Sequence, residues 1–487
     1  MVSLGFDNEK YIKLQSDSIK ERVEKFGDKL YLELGGKLFD DYHASRVLPG
    51  FEPDSKIKML LELKDKLEIV IAISAVDIEK NKVRSDYNLT YDLDTLRLIE
   101  TFTNLGLYVG SVVITKYNGQ KSADSFKVKL QNLGIKVFNL RWLDGYPANI
   151  DYIVSDDGFG STEYVETTRP IVVVAAPGPG SGKMAVCLSQ LYHESKRGVK
   201  VGYAKFETFP IWNLPLNHPV NLAYEAATAD LNDVNMIDPF HLDKYGESAV
   251  NYNRDIEVFP VLNAIFNRLL GESPYYSPTD MGVNMAGNCI IDDDIVSRAC
   301  KDEIIRRYYQ ALKDKLNGRI DENCVYKLEL IMQKVGANIS QRYVVSSALL
   351  KSAITGCPAC ALKLHNGSIV TGRETSLLCA SSAVFLNALK ELANIPDNIH
   401  LISPDVIEPL QSLKTNHLGC LNCRLQLEET LIALSISAVS DENAKLALEC
   451  LTQLRGTEVH SSVVLSTADE TTFKKLGVNL TSEAKFR

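Results

Sequence analysis

The chain has 487 residues, a formal net charge of −9, and 45% hydrophobic against 24% charged residues, the make-up of an ordinary globular protein with room for two to four domains. A uniformly acidic surface repels nucleic acid and anionic lipid alike, so neither is an expected partner. No apolar run approaches the roughly 20 residues of a spanning helix, the first residues lack the basic-then-apolar order of a secretory signal, and the ten scattered cysteines read as reduced thiols; the expectation is a cytoplasmic homo-oligomer.

From Ile69 onward short β-branched runs alternate with helical stretches: IVIAISAVDI, DLDTLRLIETFTNLG, LYVGSVVITKY, SADSFKVKLQNLG, IKVFNL, DYIVSDDGFG, RPIVVVAAPG, a helix over about 184–196, and VKVGYAKF. That alternation predicts an α/β fold with a doubly wound, mainly parallel sheet over residues 1–240. Residues 241–340 change character, with Asn and Asp clusters between helical stretches at 261–270 and 292–316, and read as a mainly helical middle region. The remainder, 341–487, turns α/β again. ACALKLH and SIVTG flank Asn366-Gly367, a dipeptide suited to positive φ at both central positions of a tight hairpin. A helix (SLLCASSAVFLNALKELA), a strand (IHLIS), two helices (RLQLEETLIALSISA, DENAKLALECLTQL) and a strand (EVHSSVVLS) complete a smaller αβα domain.

The run VVVAAPGPGSGKMAVCLSQ carries the chemistry. A strand that ends in a glycine-rich turn and opens a helix gathers backbone N–H groups around one concavity, with the helix dipole adding partial positive charge. Gly178, Gly180, Ser181, Gly182 and Lys183 fit a phosphate cradle. The pattern G-x-x-x-x-G-K-[ST] also wants a glycine six residues before the lysine and a hydroxyl after it to hold magnesium. Those places hold Pro177 and Met184, so magnesium-assisted phosphoryl transfer is not expected. The alternative is a turn that uses Gly and Pro for shape alone. Gly35, Gly36, Lys37, His43 and Arg46, and Lys82 with Arg84 just after a predicted strand, are further candidates for one basic pocket at strand carboxyl ends.

The run APGPGSGKMAVCLSQLYHESKRGVKVGYAKFETFPIWNLPLNHPVNLAYEAATADLNDVNMIDPFHL, with YNRDIEVFPVL after it, resembles a widespread bacterial family of conserved proteins of unknown function. Some members of that family are labelled ATP-dependent zinc proteases. The resemblance implies an α/β N-terminal part, a helical insert and a smaller αβα C-terminal part. It implies no activity, because the protease label needs H-E-x-x-H and His193-Glu194 is followed by Ser-Lys-Arg-Gly. Within the matched run, Lys205, Glu207, Asn213, His218, Asn221, Glu225, Asp230, Asn232, Asp233, Asn235, Asp238 and His241 form a dense polar series. It serves either loop hydrogen bonding or a substrate pocket. Glu207, His218 and Asp233 are the candidate catalytic residues.

The C-terminal segment is similar in order to the zinc deaminases of nucleosides, with a topology to match. Their signature sets a His or Cys two residues before a proton-shuttling Glu, then P-C-x-x-C. Here Cys379 is followed by Ser381 in the shuttle's place, and Gly419 stands for the proline before Cys420 and Cys423; with His417 these residues make a candidate zinc set. Cys357 and Cys360 repeat the spacing but lead into a strand, so core packing or a turn is expected of them. Three functions follow: binding of a nucleotide or other small phosphorylated ligand at 178–183, a zinc-dependent deaminase-like hydrolase, or a non-catalytic oligomeric scaffold.

Overall fold

The computed structural model describes residues 4–27, 29–36, 38, 39, 41–84 and 88–487. The chain divides into two compact units. Among the described residues, one holds 4–225 together with Asn232–Cys300; the other holds Ala226–Leu231 with Lys301–Arg487. The stretch 241–340 is therefore shared between the two units, and the division falls inside one long helix.

The first unit begins with helix α1 (Asn8–Phe26), whose first turn is capped by the Asp7 carboxylate accepting from Lys10 N at 3.0 Å. Strands β1 (Lys29–Leu34) and β2 (Leu67–Ser74) follow, then α2 (Tyr91–Asn104), β3 (Tyr108–Tyr117), α3 (Lys121–Asn132), β4 (Lys136–Arg141), β5 (Ile171–Ala175), α4 (Lys183–Lys196), β6 (Val201–Phe206), α5 (Pro219–Ala227), α6 (Asn253–Leu270) and the short β7 (Gly282–Val283). The strands form one sheet in the order β7-β6-β1-β5-β2-β3-β4, and every neighbouring pair is parallel.

Strand alternation assigns the two faces. Tyr31, Val70, Ala72, Val113, Val172, Val174 and Tyr203 join one buried cluster with Val186 and Leu191 of α4 and Phe259, Leu262 and Phe266 of α6. The buried residues of opposite parity, among them Leu32, Ile71, Ile73 and Ile114, lie on the face where α1, α2 and α3 pack. Helices thus cover both faces, as a buried parallel sheet requires. The chain leaves β5 toward β6 but leaves β2 toward β3, so the connections diverge between β5 and β2. They diverge again between β6 and β1. Such divergence opens crevices at strand carboxyl ends.

The second unit takes over within α7 (Asp293–Leu316) and continues through α8 (Glu322–Val335), α9 (Tyr343–Thr355), β8 (Ala359–Lys363), β9 (Ile369–Arg373), α10 (Ala380–Ala393), α11 (Leu427–Ser437), β10 (Glu458–Ser461), α12 (Thr467–Lys475) and β11 (Asn479–Ser482). Its sheet runs β9-β8-β10-β11, antiparallel except for the last pair. Cys360 and Leu362 of β8 pack toward Val384 and Phe385 of α10, while Ala361 between them packs toward Val344 and Ala348 of α9. This alternation makes the αβα sandwich.

Three sequence expectations are corrected. DYIVSDDGFG forms a short helix, Ile150–Ile153, and a 3-10 turn, Phe159–Ser161. Its Ile153 and Phe159 are buried in the sheet cluster, and a short apolar run carries no period that separates a strand from a plug. IHLIS is not a strand either: Leu401 and Ile402 are buried in coil, and Ser403-Pro404 starts the helix Pro404–Ser412. The β8–β9 hairpin has one positive-φ residue, Gly367 at 90°. Its N–H donates to Leu364 O at 3.0 Å, so Asn366 keeps ordinary φ in a longer loop.

Gly372 marks a close backbone-to-backbone approach of helix and sheet, since a Cβ there would lie 2.1 Å from Val384 N. Gly372→Ala is expected to cost about 1–3 kcal/mol as α10 is pushed off the sheet, read from chemical denaturation. A loss below about 0.5 kcal/mol, the range of neutral surface changes, would mean that the helix shifts freely.

Candidate functional site

The 176–182 turn leaves the end of β5 and enters α4 through Gly182, which sits in the left-handed region at φ 85°. Four side chains donate to its carbonyls. Arg84 Nη1 donates to Pro177 O at 3.2 Å, Ser181 Oγ to Gly178 O at 2.8 Å, Lys116 Nζ to Gly180 O at 2.9 Å and Thr115 Oγ1 to Ser181 O at 2.6 Å. α4 has no side-chain cap, so the N–H groups of Lys183, Met184 and Ala185 have neither an intrahelical acceptor nor a cap.

A pocket of about 440 Å³ opens on this helix end. Gly180, Gly182, Lys183, Met184 and Ala185 form its loop wall. Thr115, Lys116 and Arg141 come from the ends of β3 and β4, and Trp142, Leu143, Tyr146 and Phe159 from the segment beyond. Glu33 lines it from β1. Lys183 Nζ is 4.0 Å from Glu33 Oε1, and Tyr203 OH donates to Glu33 Oε2 at 2.7 Å. Met184 packs against the sheet cluster, where the common phosphate loop carries a hydroxyl.

The other phosphate candidates divide. Lys82 pairs with Asp77 at 3.4 Å and lies over the Tyr91 ring. Arg84 pairs with Asp94 at 3.0 Å while holding Pro177 O. Both sit behind the turn rather than on the pocket wall. Lys37 lies outside the described residues. Gly35 closes against β6, where a Cβ would meet Phe206 O at 2.6 Å. His43 and Arg46 share the short helix Tyr42–Val47, with the His43 ring edge-on to Phe209.

Of the catalytic candidates, Glu207 belongs to a buried charge cluster at the end of β6. Lys205 Nζ donates to Glu207 Oε1 at 2.7 Å, to Tyr252 OH at 2.5 Å and to Asp255 Oδ2, and Tyr252 OH donates to Glu207 Oε1 at 3.0 Å. Burial opposes the Lys205 charge, but the Asp255 and Glu207 carboxylates outweigh it and hold the ammonium well above the usual lysine range. Burial, reinforced by Asp255, raises the Glu207 carboxyl against the pull of Lys205. Asp233 is buried in an ion pair with Arg254 at 2.6 Å. His218 stands elsewhere: its Nδ1 accepts from Val220 N at 3.2 Å and its Nε2 lies 2.8 Å from Asp293 Oδ1.

In the second unit the cysteines do not make a ligand set. Among the described residues no group of three or more His, Cys, Asp or Glu side chains comes together as a metal site. Cys379 Sγ accepts from Asn422 at 3.9 Å, Cys423 Sγ faces Ser376 O, and Cys420 is exposed. At the position of the deaminase shuttle, Ser381 donates to the buried Asp469 at 2.9 Å. Cys360 is buried in β8, as core packing requires.

Lys116, Arg141, Trp142, Tyr146 and Glu33 do not stand out in the sequence. The signal that could have found the first three is position, since each stands at or just past the carboxyl end of a predicted parallel strand.

Fold and site together define a two-unit α/β protein whose parallel sheet carries a glycine-rich strand-to-helix turn beside a pocket. Its sequence matches the family model described as domain of unknown function DUF1846, N-terminal, over residues 4–336, and the C-terminal model of that family over residues 340–487. It is 57% identical over 486 residues to the UPF0371 protein DIP2346 of Corynebacterium diphtheriae, covering 100% of this chain and 98% of that protein. It is 54% identical over 487 residues to the UPF0371 proteins SpyM50764 of Streptococcus pyogenes and SUB1165 of Streptococcus uberis, covering 100% of this chain and 99% of each. The chain belongs to this family.

Removing the central cation of the charge cluster is the sharpest test of it. Lys205→Met should cost about 3–5 kcal/mol, because two carboxylates are then buried without their partner. Glu207 carries a pH signature. Its folded value lies above the ordinary 4.5, so its contribution is fully present below pH 4.5 and is lost as the pH rises through the folded value. Wild type should therefore gain in melting temperature relative to Glu207→Gln as the pH falls toward 4.5, and a pH-independent difference would contradict the raised carboxyl.

Proposed function

We propose that this chain binds a phosphate-bearing small molecule, a nucleotide or other phosphorylated metabolite, at the 178–183 turn. The observation that carries the reading is the pocket of about 440 Å³ set against the uncapped start of α4, with Lys183, Lys116 and Arg141 on its wall in a chain of net charge −9. Helix-start amides and a lysine are what an anion needs, and concentrating cations there draws a charged ligand to one place.

The hydroxyl that follows the lysine and holds magnesium in the common phosphate loop is missing from this turn. Met184 offers no oxygen, and the two nearby hydroxyls, Ser181 and Thr115, are turned to the Gly178 and Ser181 carbonyls. The reading is therefore ligand binding that does not need a loop-held divalent cation.

The test is thermal denaturation of the full chain in EDTA with inorganic phosphate, ribose 5-phosphate and nucleoside mono- and triphosphates. At least one should raise the melting temperature, as ligand binding to the folded state alone must. Lys183→Ala should weaken that ligand about 10- to 100-fold, the scale of one charge-assisted hydrogen bond, with an unchanged far-UV spectrum. A wild type that no phosphorylated compound stabilises would overturn the reading.

A further inference from the structure

The pocket is larger than a phosphate group needs and its wall is two-sided. The turn and Lys183 form one side; Leu140, Trp142, Leu143, Tyr146 and Phe159 form an apolar one. A volume of about 440 Å³ falls in the range, roughly 300–1,000 Å³, of sites that enclose whole small molecules. Trp142 follows β4 directly and stays 55% exposed while lining the pocket. An indole left in solvent at a pocket rim offers its face to a planar ring.

Glu33 supplies the third element. It is 8% exposed and is the one carboxylate on the pocket wall among the described residues. Tyr203 OH fixes Oε2 at 2.7 Å, and Oε1 lies 4.0 Å from Lys183 Nζ, beyond direct hydrogen-bond length. A carboxylate repels phosphate, so it is not part of the anion cradle. As an acceptor without a proton to donate, it takes hydroxyl donors, and it stands beside the lysine that faces the anion.

From these three walls we propose that the pocket takes a ribonucleoside phosphate. Its phosphate lies on the N–H groups of the first α4 turn and Lys183, its ribose hydroxyls on Glu33 and its base against Trp142. This deepens the phosphate reading and rests on it. Phosphorylated metabolites without a base leave the apolar wall unfilled, and deoxy sugars leave Glu33 without its donors, which is where a site built around hydrogen bonds discriminates most.

The experiment is a tryptophan-fluorescence titration of the full chain in EDTA. The probes are the four ribonucleoside monophosphates, their 2′,3′-dideoxy counterparts, ribose 5-phosphate and inorganic phosphate. At least one ribonucleotide should quench the emission and bind about tenfold or more tighter than ribose 5-phosphate, the scale of one stacked base. Trp142→Phe should remove the quench, since Trp142 lines the pocket and the other tryptophan, Trp212, is not among its lining residues. Glu33→Gln should bring the ribo-to-dideoxy preference toward unity while inorganic phosphate binds as before. Ribose 5-phosphate binding as tightly as every ribonucleotide, or a dideoxy counterpart matching its ribonucleotide in wild type, overturns this inference and leaves phosphate binding standing. No binding by any probe, inorganic phosphate included, overturns both.

Discussion

How little room lies behind the 176–182 turn governs the rest of the site. A Cβ on Gly178 would stand 2.2 Å from Tyr91 OH and one on Gly182 2.9 Å from Thr115 Oγ1, while Gly180 and Gly182 both hold positive φ. Side chains at either crowded position would push the turn off β2, β3 and α2. With glycine there, Arg84, Lys116, Thr115 and Ser181 reach the carbonyls of residues 177, 178, 180 and 181. Peptide groups are bipolar, so donors gathered on the carbonyl side leave the helix-start N–H groups without competitors from the chain. The chain itself thus holds the turn in one shape, so the proposed ligand would meet a low ordering cost.

The same sheet register explains why a charged seam runs beside an apolar cluster. Glu33 and Lys205 are partners on adjacent parallel strands, so both side chains emerge on the α4 and α6 face. Lys183 comes from α4 and Asp255 from α6 to meet them. Each charge is costly to bury alone. Alternation of sign along Lys183, Glu33, Lys205 and Asp255 makes the seam tolerable, and Tyr203 and Tyr252 supply hydroxyls where a second charge would not fit. Burial first, and then Asp255, raises the Glu207 carboxyl, the third carboxylate where only two ammonium groups answer.

Much of the architecture is legible in the sequence because parallel strands buried on both faces are continuous β-branched runs, as in IVIAIS and IVVVA, and their helices carry the opposite period. The strand-to-helix turn at Lys183 is legible for the same reason. The interior strand β1 does not stand out in that alternation: KLYLEL holds charged residues at both ends of its apolar core, and Glu33 is buried only because Tyr203 and Lys183 answer it from elsewhere in the chain. The segments DYIVS and IHLIS show the converse, apolar runs that plug a core without pairing. Lys116 and Arg141 gain their meaning from strand order, which brings the ends of β3 and β4 round to the turn. Residue types alone carry no record of that order. Lys82 and Arg84, candidates by charge, face Asp77 and Asp94, acids that the local sequence offers as partners.

Met184 separates this turn from the nucleotide-hydrolysing kind by more than one missing oxygen. A hydroxyl at that helix position would face the cation; a thioether there packs into the sheet cluster beside Val186 and Leu188 and adds apolar wall to the pocket. Thr115 Oγ1 donates to Ser181 O, and the bulk of the residue fills the space behind Gly182. The turn, the carboxylate and the apolar wall thus meet in one pocket, and the side chain that follows the lysine extends its apolar side where the common loop carries a hydroxyl.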